Sequence, residues 1–352
     1  MSTENKDMLE QNEEEVFSTN ENIETEEKQS SSAFSTSKAK KNIKTLWLFI
    51  ISAAFICIAF FIALVMCNYI SNRNFRETFY SVSSLKVENT VRILQISDLH
   101  SCSYGENNDK MIERIEKLAP DVILCTGDII DAKRMDLEKT VQLCTKLSEI
   151  APSYYVYGNN EVDHVYGYTL LQGTLDEKFG FDETNRNPST FLEIKDDYEE
   201  MLENAGITVL KNEVATVKVE DTDVDIFGVL NSNPSSFWTY AGEYFESFIY
   251  NDPEHLKVMA IHEPFIFEEF DFEDWGDLIV CGHTHGGTAR VPVFGPLYTR
   301  EGGILPERSG YYVYGRYNVT GSPIVVSSGL ENTNIFRLNN QPEIVIIDIN
   351  KF

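Results

Sequence analysis

The chain has 352 residues, 24% of them charged, with 56 acids against 29 bases and a net charge of −27. This length accommodates one large α/β domain, extra segments and an ample buried core, and so acidic a surface repels nucleic acid and anionic headgroups. The six cysteines show neither a disulfide framework nor zinc spacing: Cys57 and Cys67 fall in an apolar run, Cys125 and Cys281 in apolar predicted strands.

Residues 1–44 are rich in Glu, Ser, Asn and Lys, with ten acids and six bases, which leaves about −23 for the remainder. Such a segment cannot bury enough surface to offset the entropy of ordering, so a disordered acidic tail is expected. From Thr45 to Ile70 the chain is uncharged and dominated by Ile, Phe, Ala, Leu and Val, longer than the ~20 residues that span a bilayer. This predicts a transmembrane helix, with a buried core helix as the alternative. The polar tail before it and Met66-Cys67-Asn68-Tyr69 after it are unlike a cleavable signal sequence. Lys38, Lys40, Lys41 and Lys44 crowd one flank, whereas Arg73 and Arg76 are the nearest cations on the other. The positive-inside bias then makes the tail cytoplasmic and the following domain extracytoplasmic, in a single-pass cell-membrane protein. Residues 71–90 read as a linker, and 91–352 as one domain.

Within that domain, apolar runs predict strands at Val91–Ser97, Val122–Thr126, Tyr154–Tyr157, Ile207–Lys211, Val224–Leu230, Lys257–Ile261, Asp277–Cys281, Pro323–Ser328 and Glu343–Ile349. Several are unbroken, as in a sheet covered on both faces. Helical spacing of Met111, Ile112, Ile115 and Leu118 predicts a helix over Asp109–Leu118, and Leu137, Val141, Cys144 and Leu147 predict one over Asp136–Ile150. The resulting βαβ start places ligands at the carboxyl ends of strands.

Polar residues of one chemical kind fall at those ends: Asp98-Leu99-His100, Gly127-Asp128, Gly158-Asn159, His262 and Gly282-His283-Thr284-His285. Singly, an Asp after a strand is a turn or cap residue and a His a structural one. Together, carboxylate, imidazole and amide oxygen form the donor set of a two-metal hydrolase. Such mixed ligands suit Mn, Fe or Zn better than Mg or Ca. His164 and His255 have no such placement and read as surface residues.

The order Asp-x-His, Gly-Asp, Gly-Asn, His, Gly-His-x-His resembles the calcineurin-like metallophosphoesterases from about Arg92 to Ile349. Gly286-Gly287, Pro292-Val293-Phe294-Gly295-Pro296-Leu297-Tyr298 and Gly206–Asn212 resemble the YkuE/YaeI-type membrane-associated phosphodiesterase branch. The resemblance implies an α/β four-layer sandwich, two β-sheets flanked by helices, here preceded by one transmembrane helix. It also implies that Asp98, His100, Asp128 and His285 hold one divalent ion and Asp128, Asn159, His262 and His283 another. Asp128 would bridge, as a carboxylate can across the ~3.5–4 Å of a two-metal site. The expected reaction is attack of metal-activated hydroxide on a phosphodiester or phosphoanhydride. A phosphorylated small molecule, a lipid or a cell-envelope molecule is the expected substrate, the last two motivated by the membrane segment alone.

One position departs from the pattern: Gly158-Asn159-Asn160-Glu161 has Asn160 where the family has a histidine that assists the leaving group. An amide donates a hydrogen bond but has no proton to give near neutral pH, so Asn160 is a catalytic candidate that stabilises charge without acting as an acid. Attenuated hydrolysis, phosphomonoester hydrolysis and metal-dependent binding without turnover all remain open. His164, a few residues downstream, is a candidate to supply the missing proton. The long segment after Glu161, with Tyr166, Tyr168, Phe179 and Phe181, reads either as a specificity lid or as a loop pinned by its own aromatics. Arg290 and Arg300, with Arg308, follow the Gly-His-x-His motif and are candidates to meet substrate phosphate, or are paired surface cations.

Overall fold

The computed structural model describes residues 44–131, 136–161, 198–230, 234–269, 274–332 and 337–352. The acidic tail, His164 and the aromatic segment from Tyr166 to Phe181 lie outside the described residues. Helix α1, Lys44–Asn72, is long and apolar enough to cross a membrane, and none of its most apolar window is buried. The compact unit that follows is Asn68–Phe352.

Two six-stranded sheets form that unit. The first comprises β1 (Arg76–Ser84), β2 (Val91–Ile96), β3 (Val122–Thr126), β4 (Ser153–Val156), β5 (Thr208–Val209) and the last strand of the chain, Glu343–Lys351; β2 through β5 run parallel. The second is built on β6 (Glu213–Val219), β7 (Thr222–Val229), β8 (Leu256–Ile261) and β9 (Leu278–Cys281), with β7, β8 and β9 parallel. Two short hairpins follow, β10 (Arg290–Val291) with β11 (Gly295–Pro296) and β12 (Tyr298–Thr299) with β13 (Gly303–Ile304). Strands β14 (Gly315–Val319) and β15 (Ser322–Val326) complete the second sheet, and the chain ends in β16, Glu343–Lys351.

Strand alternation assigns each face. Ile93, Val122, Leu124, Val345 and Ile347 of the first sheet meet Ile226, Val258, Ala260, Leu278 and Val280 of the second in one central layer. The opposite face of the first sheet, with Leu94, Ile96, Ile123 and Cys125, packs on α2 (Asp109–Leu118) and α3 (Leu137–Ile150). The outer face of the second, with Met259, Ile261, Ile279 and Cys281, packs on Ala241, Phe245 and Phe248 of α4, Pro234–Tyr250. Helix, sheet, sheet, helix is the four-layer arrangement, and a fully buried Val, Leu or Ile contributes roughly 1.5–3 kcal/mol to it. Cys125 and Cys281 are buried free thiols, and burial pushes the Cys125 thiol up to about 12.

Several elements differ from the sequence reading. Residues 71–90, read as a linker, contain β1, which pairs in parallel with β16 at the edge of the first sheet. Its run RETFYSVSS is polar-rich and mostly half-exposed or exposed, as an edge strand permits, so no apolar run announces it. The strand expected over Ile207–Lys211 shrinks to Thr208–Val209, because the Leu210 N–H donates to Tyr155 O and Asn212 N–H to Gly228 O as the chain passes between sheets. Helix α3 starts one residue late because Asp136 is its cap, accepting from Lys139 N–H at 3.1 Å.

Candidate metal centre

The loops leaving β2, β3, β4, β8 and β9 converge. Asp98, His100, Asp128, His283 and His285 all adopt left-handed backbone, with φ of 50, 48, 52, 70 and 51°. Each such non-glycine residue costs of order 1–3 kcal/mol and persists only where the surroundings enforce it, which is a mark of functional loops. Two glycines make the approach possible. A Cβ on Gly127 would lie 2.5 Å from Gly158 N and 2.7 Å from His262 Nδ1, and one on Gly282 only 1.9 Å from Ser97 Oγ.

Two adjoining clusters result. In one, His100 Nε2 lies 3.1 Å from His285 Nε2 and 3.6 Å from Asp128 Oδ2, while His285 Nε2 is 3.5 Å from Asp98 Oδ1. In the other, Asn159 Oδ1 lies 2.9 Å from His283 Nδ1 and 3.3 Å from His262 Nε2, which is 3.5 Å from Asp128 Oδ2. Asp128 is the member common to both. The His262 ring donates its Nδ1–H to Thr126 O at 2.8 Å, which turns Nε2 toward the cluster. Acceptor atoms pointed at one another repel unless protons or cations lie between them, so this donor set fits a pair of divalent ions.

Electrostatics without such ions agree. Burial opposes ionisation of Asp128, yet His262 and His100 hold its carboxyl well below the usual range. Burial likewise works against a charged His262, but Asp128 pushes it up to about 10. Burial, with His100 beside it, holds His285 well below the ordinary imidazole value, so it is neutral and one ring nitrogen keeps a lone pair for a cation. Burial also raises the Asp98 carboxyl, which accepts from Ser97 Oγ–H at 2.6 Å and from the His283 N–H at 3.0 Å.

Asn160 is folded onto the shared carboxylate. Its backbone N–H donates to Asp128 Oδ1 at 2.8 Å and its Nδ2–H to Asp128 Oδ2 at 2.5 Å. Glu161, fully buried, accepts from the N–H groups of Asp128 and Ile129 at 2.8 Å, from Gly158 N–H at 2.9 Å and from Tyr155 O–H at 2.6 Å. One carboxylate thereby locks the loops after β3 and β4 together.

Three further glutamates, missed in the sequence, face the histidines. Glu331 Oε2 is 3.4 Å from His285 Nδ1, Glu301 Oε1 3.8 Å from His283 Nε2 and Glu263 Oε1 3.9 Å from His283 Nδ1. Glu331 is held by buried Arg337, whose guanidinium donates to the carbonyls of Ser328, Asn340 and Glu331. Only Glu263, directly after His262, carried a sequence signal; the others arrive from distant turns.

Other candidates lie elsewhere. Arg290 stacks on the Tyr314 ring at 3.2 Å and Arg308 lies over Phe294 at 5.7 Å, while Arg300 is exposed beside Glu301. His255 is not a simple surface residue: its Nδ1 is 3.0 Å from Asp225 Oδ1, and Lys257 Nζ lies 2.6 Å from Asp225 Oδ2. The lysine already neutralises that carboxylate, so this group is an ion-pair network.

The family model for the calcineurin-like phosphoesterases matches residues 91–287. The chain is 22% identical over 272 residues to the uncharacterised protein YpbG of Bacillus subtilis, covering 77% of this chain and 85% of that one. It is 24% identical over 268 residues to the phosphodiesterase YaeI of Escherichia coli, covering 73% and 82%. It is 25% identical over 270 residues to the uncharacterised metallophosphoesterase YkuE of Bacillus subtilis, covering 73% and 78%. With a family match over more than half its length and a four-layer fold whose strand-end loops gather these donors, the chain belongs to the calcineurin-like phosphoesterase family.

Proposed function

We propose that this protein is a membrane-anchored phosphoesterase that holds two divalent transition metal ions, Mn, Fe or Zn, and hydrolyses a phosphodiester or phosphoanhydride outside the cytoplasm. The observation that carries this reading is the convergence of seven donor residues into two clusters that share Asp128. Ions bound there supply Lewis acidity toward a phosphoryl oxygen and lower the pKa of water enough to give hydroxide at neutral pH. Asp98 and Asp128 contribute the negative charge that offsets them, and His100, Asn159, His262, His283 and His285 contribute neutral donors. Asn160 orients Asp128 through two hydrogen bonds, and Glu161 fixes the loops that carry Asp128 and Asn159. Arg300, exposed beside Glu301, is the more available of the two arginine candidates for substrate phosphate; Arg290 is committed to Tyr314. Helix α1 supports the anchor by its length and apolarity.

The test is metal content and hydrolysis of an aryl phosphodiester by the detergent-solubilised full chain with added Mn²⁺, beside Asp128→Asn. Turnover near two metals per chain, lost in the variant, supports the reading, and the ratio of diester to monoester turnover separates it from a phosphomonoesterase. A second reading, a binding protein without turnover, is favoured by the hold of Asn160 on Asp128. Bound metal with no turnover of any ester would select it.

A further inference from the structure

The two hairpins that follow the Gly-His-x-His loop carry Val291, Val293, Phe294, Leu297, Tyr298 and Ile304 as exposed apolar side chains. Val293 is fully exposed, Ile304 is 78% exposed and Phe294 54%. Val293 also has φ of 74°, an outlier for a β-branched residue, so neither burial nor backbone preference explains an apolar side chain there. Soluble surfaces scatter such residues singly, and a contiguous group marks a binding surface.

The covering partner is indicated by the chain itself. Asn72, the last residue of apolar helix α1, donates its Nδ2–H to Arg337 O at 3.1 Å. The next residue along, Leu338, pairs with the base of the hairpins, its N–H donating to Thr288 O and its carbonyl accepting from Arg290 N–H, both at 3.0 Å. Asn72 and the apolar hairpins, both within the unit Asn68–Phe352, are thus fastened to one short segment. Charge agrees: residues 288–316 hold Arg290, Arg300, Arg308 and Arg316 against Glu301 and Glu307, in a chain of net charge −27. Arginines attract anionic headgroups, and Phe294 and Tyr298 suit the membrane–water interface, where aromatic rings concentrate. The same hairpins reach the candidate metal centre. Glu301, in the turn between β12 and β13, lies 3.8 Å from His283 Nε2, and a Cβ on Gly287 would meet Pro296 at 2.8 Å.

We infer that the hairpins at residues 290–304 rest in the headgroup layer of a bilayer and present the adjoining site to phosphodiesters of lipid headgroups. This deepens the hydrolase reading and rests on it for the substrate, while the membrane contact stands on the hairpins and α1. The test places an environment-sensitive fluorophore on Phe294→Cys or Ile304→Cys, each with Cys57→Ser and Cys67→Ser, in the full chain reconstituted in phosphatidylcholine–phosphatidylglycerol vesicles containing nitroxide-labelled lipid. Leu85→Cys, at a position 79% exposed on the domain, is the solvent control, and a label on native Cys57 is the anchor control. Loss of emission at positions 294 and 304 but not 85 is expected. Emission unchanged at both hairpin positions while Cys57 is quenched overturns the hairpin contact and leaves the anchor. Absence of quenching at Cys57 as well overturns the anchor and the inference with it. The double substitution Phe294→Ser, Ile304→Ser should lose turnover of a vesicle-borne lipid phosphodiester and keep that of a soluble aryl diester. Equal turnover of both substrates before and after substitution overturns the lipid assignment, and a wild-type chain inert toward both indicts the hydrolase reading instead.

Discussion

At the scale of single residues, Asn160 and Glu161 divide two tasks that adjoin in sequence. Asn160 meets Asp128 through its backbone and its side-chain amide, so it can orient charge but supplies no proton. If the protein is an impaired hydrolase, Asn160→His should raise turnover of alkyl phosphodiesters, which need protonation of the leaving oxygen, by roughly 10²–10⁴-fold. Aryl diesters should gain less, and metal content should stay the same; no gain on alkyl esters with metal intact would favour the binding reading. Glu161 has a different duty, since five buried donors, the N–H groups of Asp128, Ile129, Ile130 and Gly158 and the Tyr155 hydroxyl, share its carboxylate. Glu161→Gln keeps the shape but turns an NH₂ toward backbone N–H groups. It should destabilise the fold by about 1–3 kcal/mol in chemical denaturation. Metal affinity should fall by about 10–100-fold, as when groups that orient ligands are removed; unaltered affinity would show that the loops after β3 and β4 hold their positions without it.

At the scale of elements, β7 and β8 are joined by a buried ion pair below the sheet surface. Lys257, 2% exposed, meets Asp225, which also receives Thr216 and His255. Burial opposes ionisation of Asp225, but those donors outweigh it and lower its carboxyl below the ordinary range. A carboxyl depressed in the folded state stabilises above its unfolded value, about 3.9, and that contribution disappears as pH falls through the folded value. The stability gap between the native chain and Asp225→Asn should therefore be constant near neutrality and shrink below about pH 4. Lys257→Met, which strands the carboxylate, should cost about 3–5 kcal/mol. Denaturant titrations across pH check both, and a gap that widens in acid would refute the assignment.

The elements also show what a sequence discloses. Buried strands such as β3 and β8 are legible because both faces are covered, which makes them continuous apolar runs. Strand β1 is illegible for the converse reason, since an edge strand with half-exposed side chains has the composition of a linker. Metal-type residues stand out at strand ends because Asp98, Asp128 and His283 each follow an apolar run with an abrupt change of chemistry. Glu331 and Glu301 carry no such contrast, because their importance comes from contacts with His285 and His283 of a separate loop, and Arg337 is marked only by the local carbonyls it gathers. Asn160 is visible as a departure from a pattern, but its hold on Asp128 depends on how the loops after β3 and β4 meet in space.

At the scale of the whole molecule, the two sheets meet at the proposed metal centre as well as through their shared core. Asp98, His100, Asp128 and Asn159 come from loops of the first sheet, His262, His283 and His285 from loops of the second. Ions held by this set would tie the sheets together, whereas without them the strained left-handed loops and facing acceptors work against the fold. Binding to the folded state alone stabilises by RT ln(1 + [L]/Kd), about 2.7 kcal/mol at a hundredfold excess over Kd. The full chain should therefore melt at a higher temperature with Mn²⁺ or Zn²⁺ than with chelator, in one transition, because the ligands span both sheets. Asp128→Asn should abolish most of that difference, since the shared carboxylate serves both clusters. A metal-independent melting temperature in the native chain would mean that the seven donors are held by protons and hydrogen bonds alone, and would remove the basis for a dinuclear enzyme.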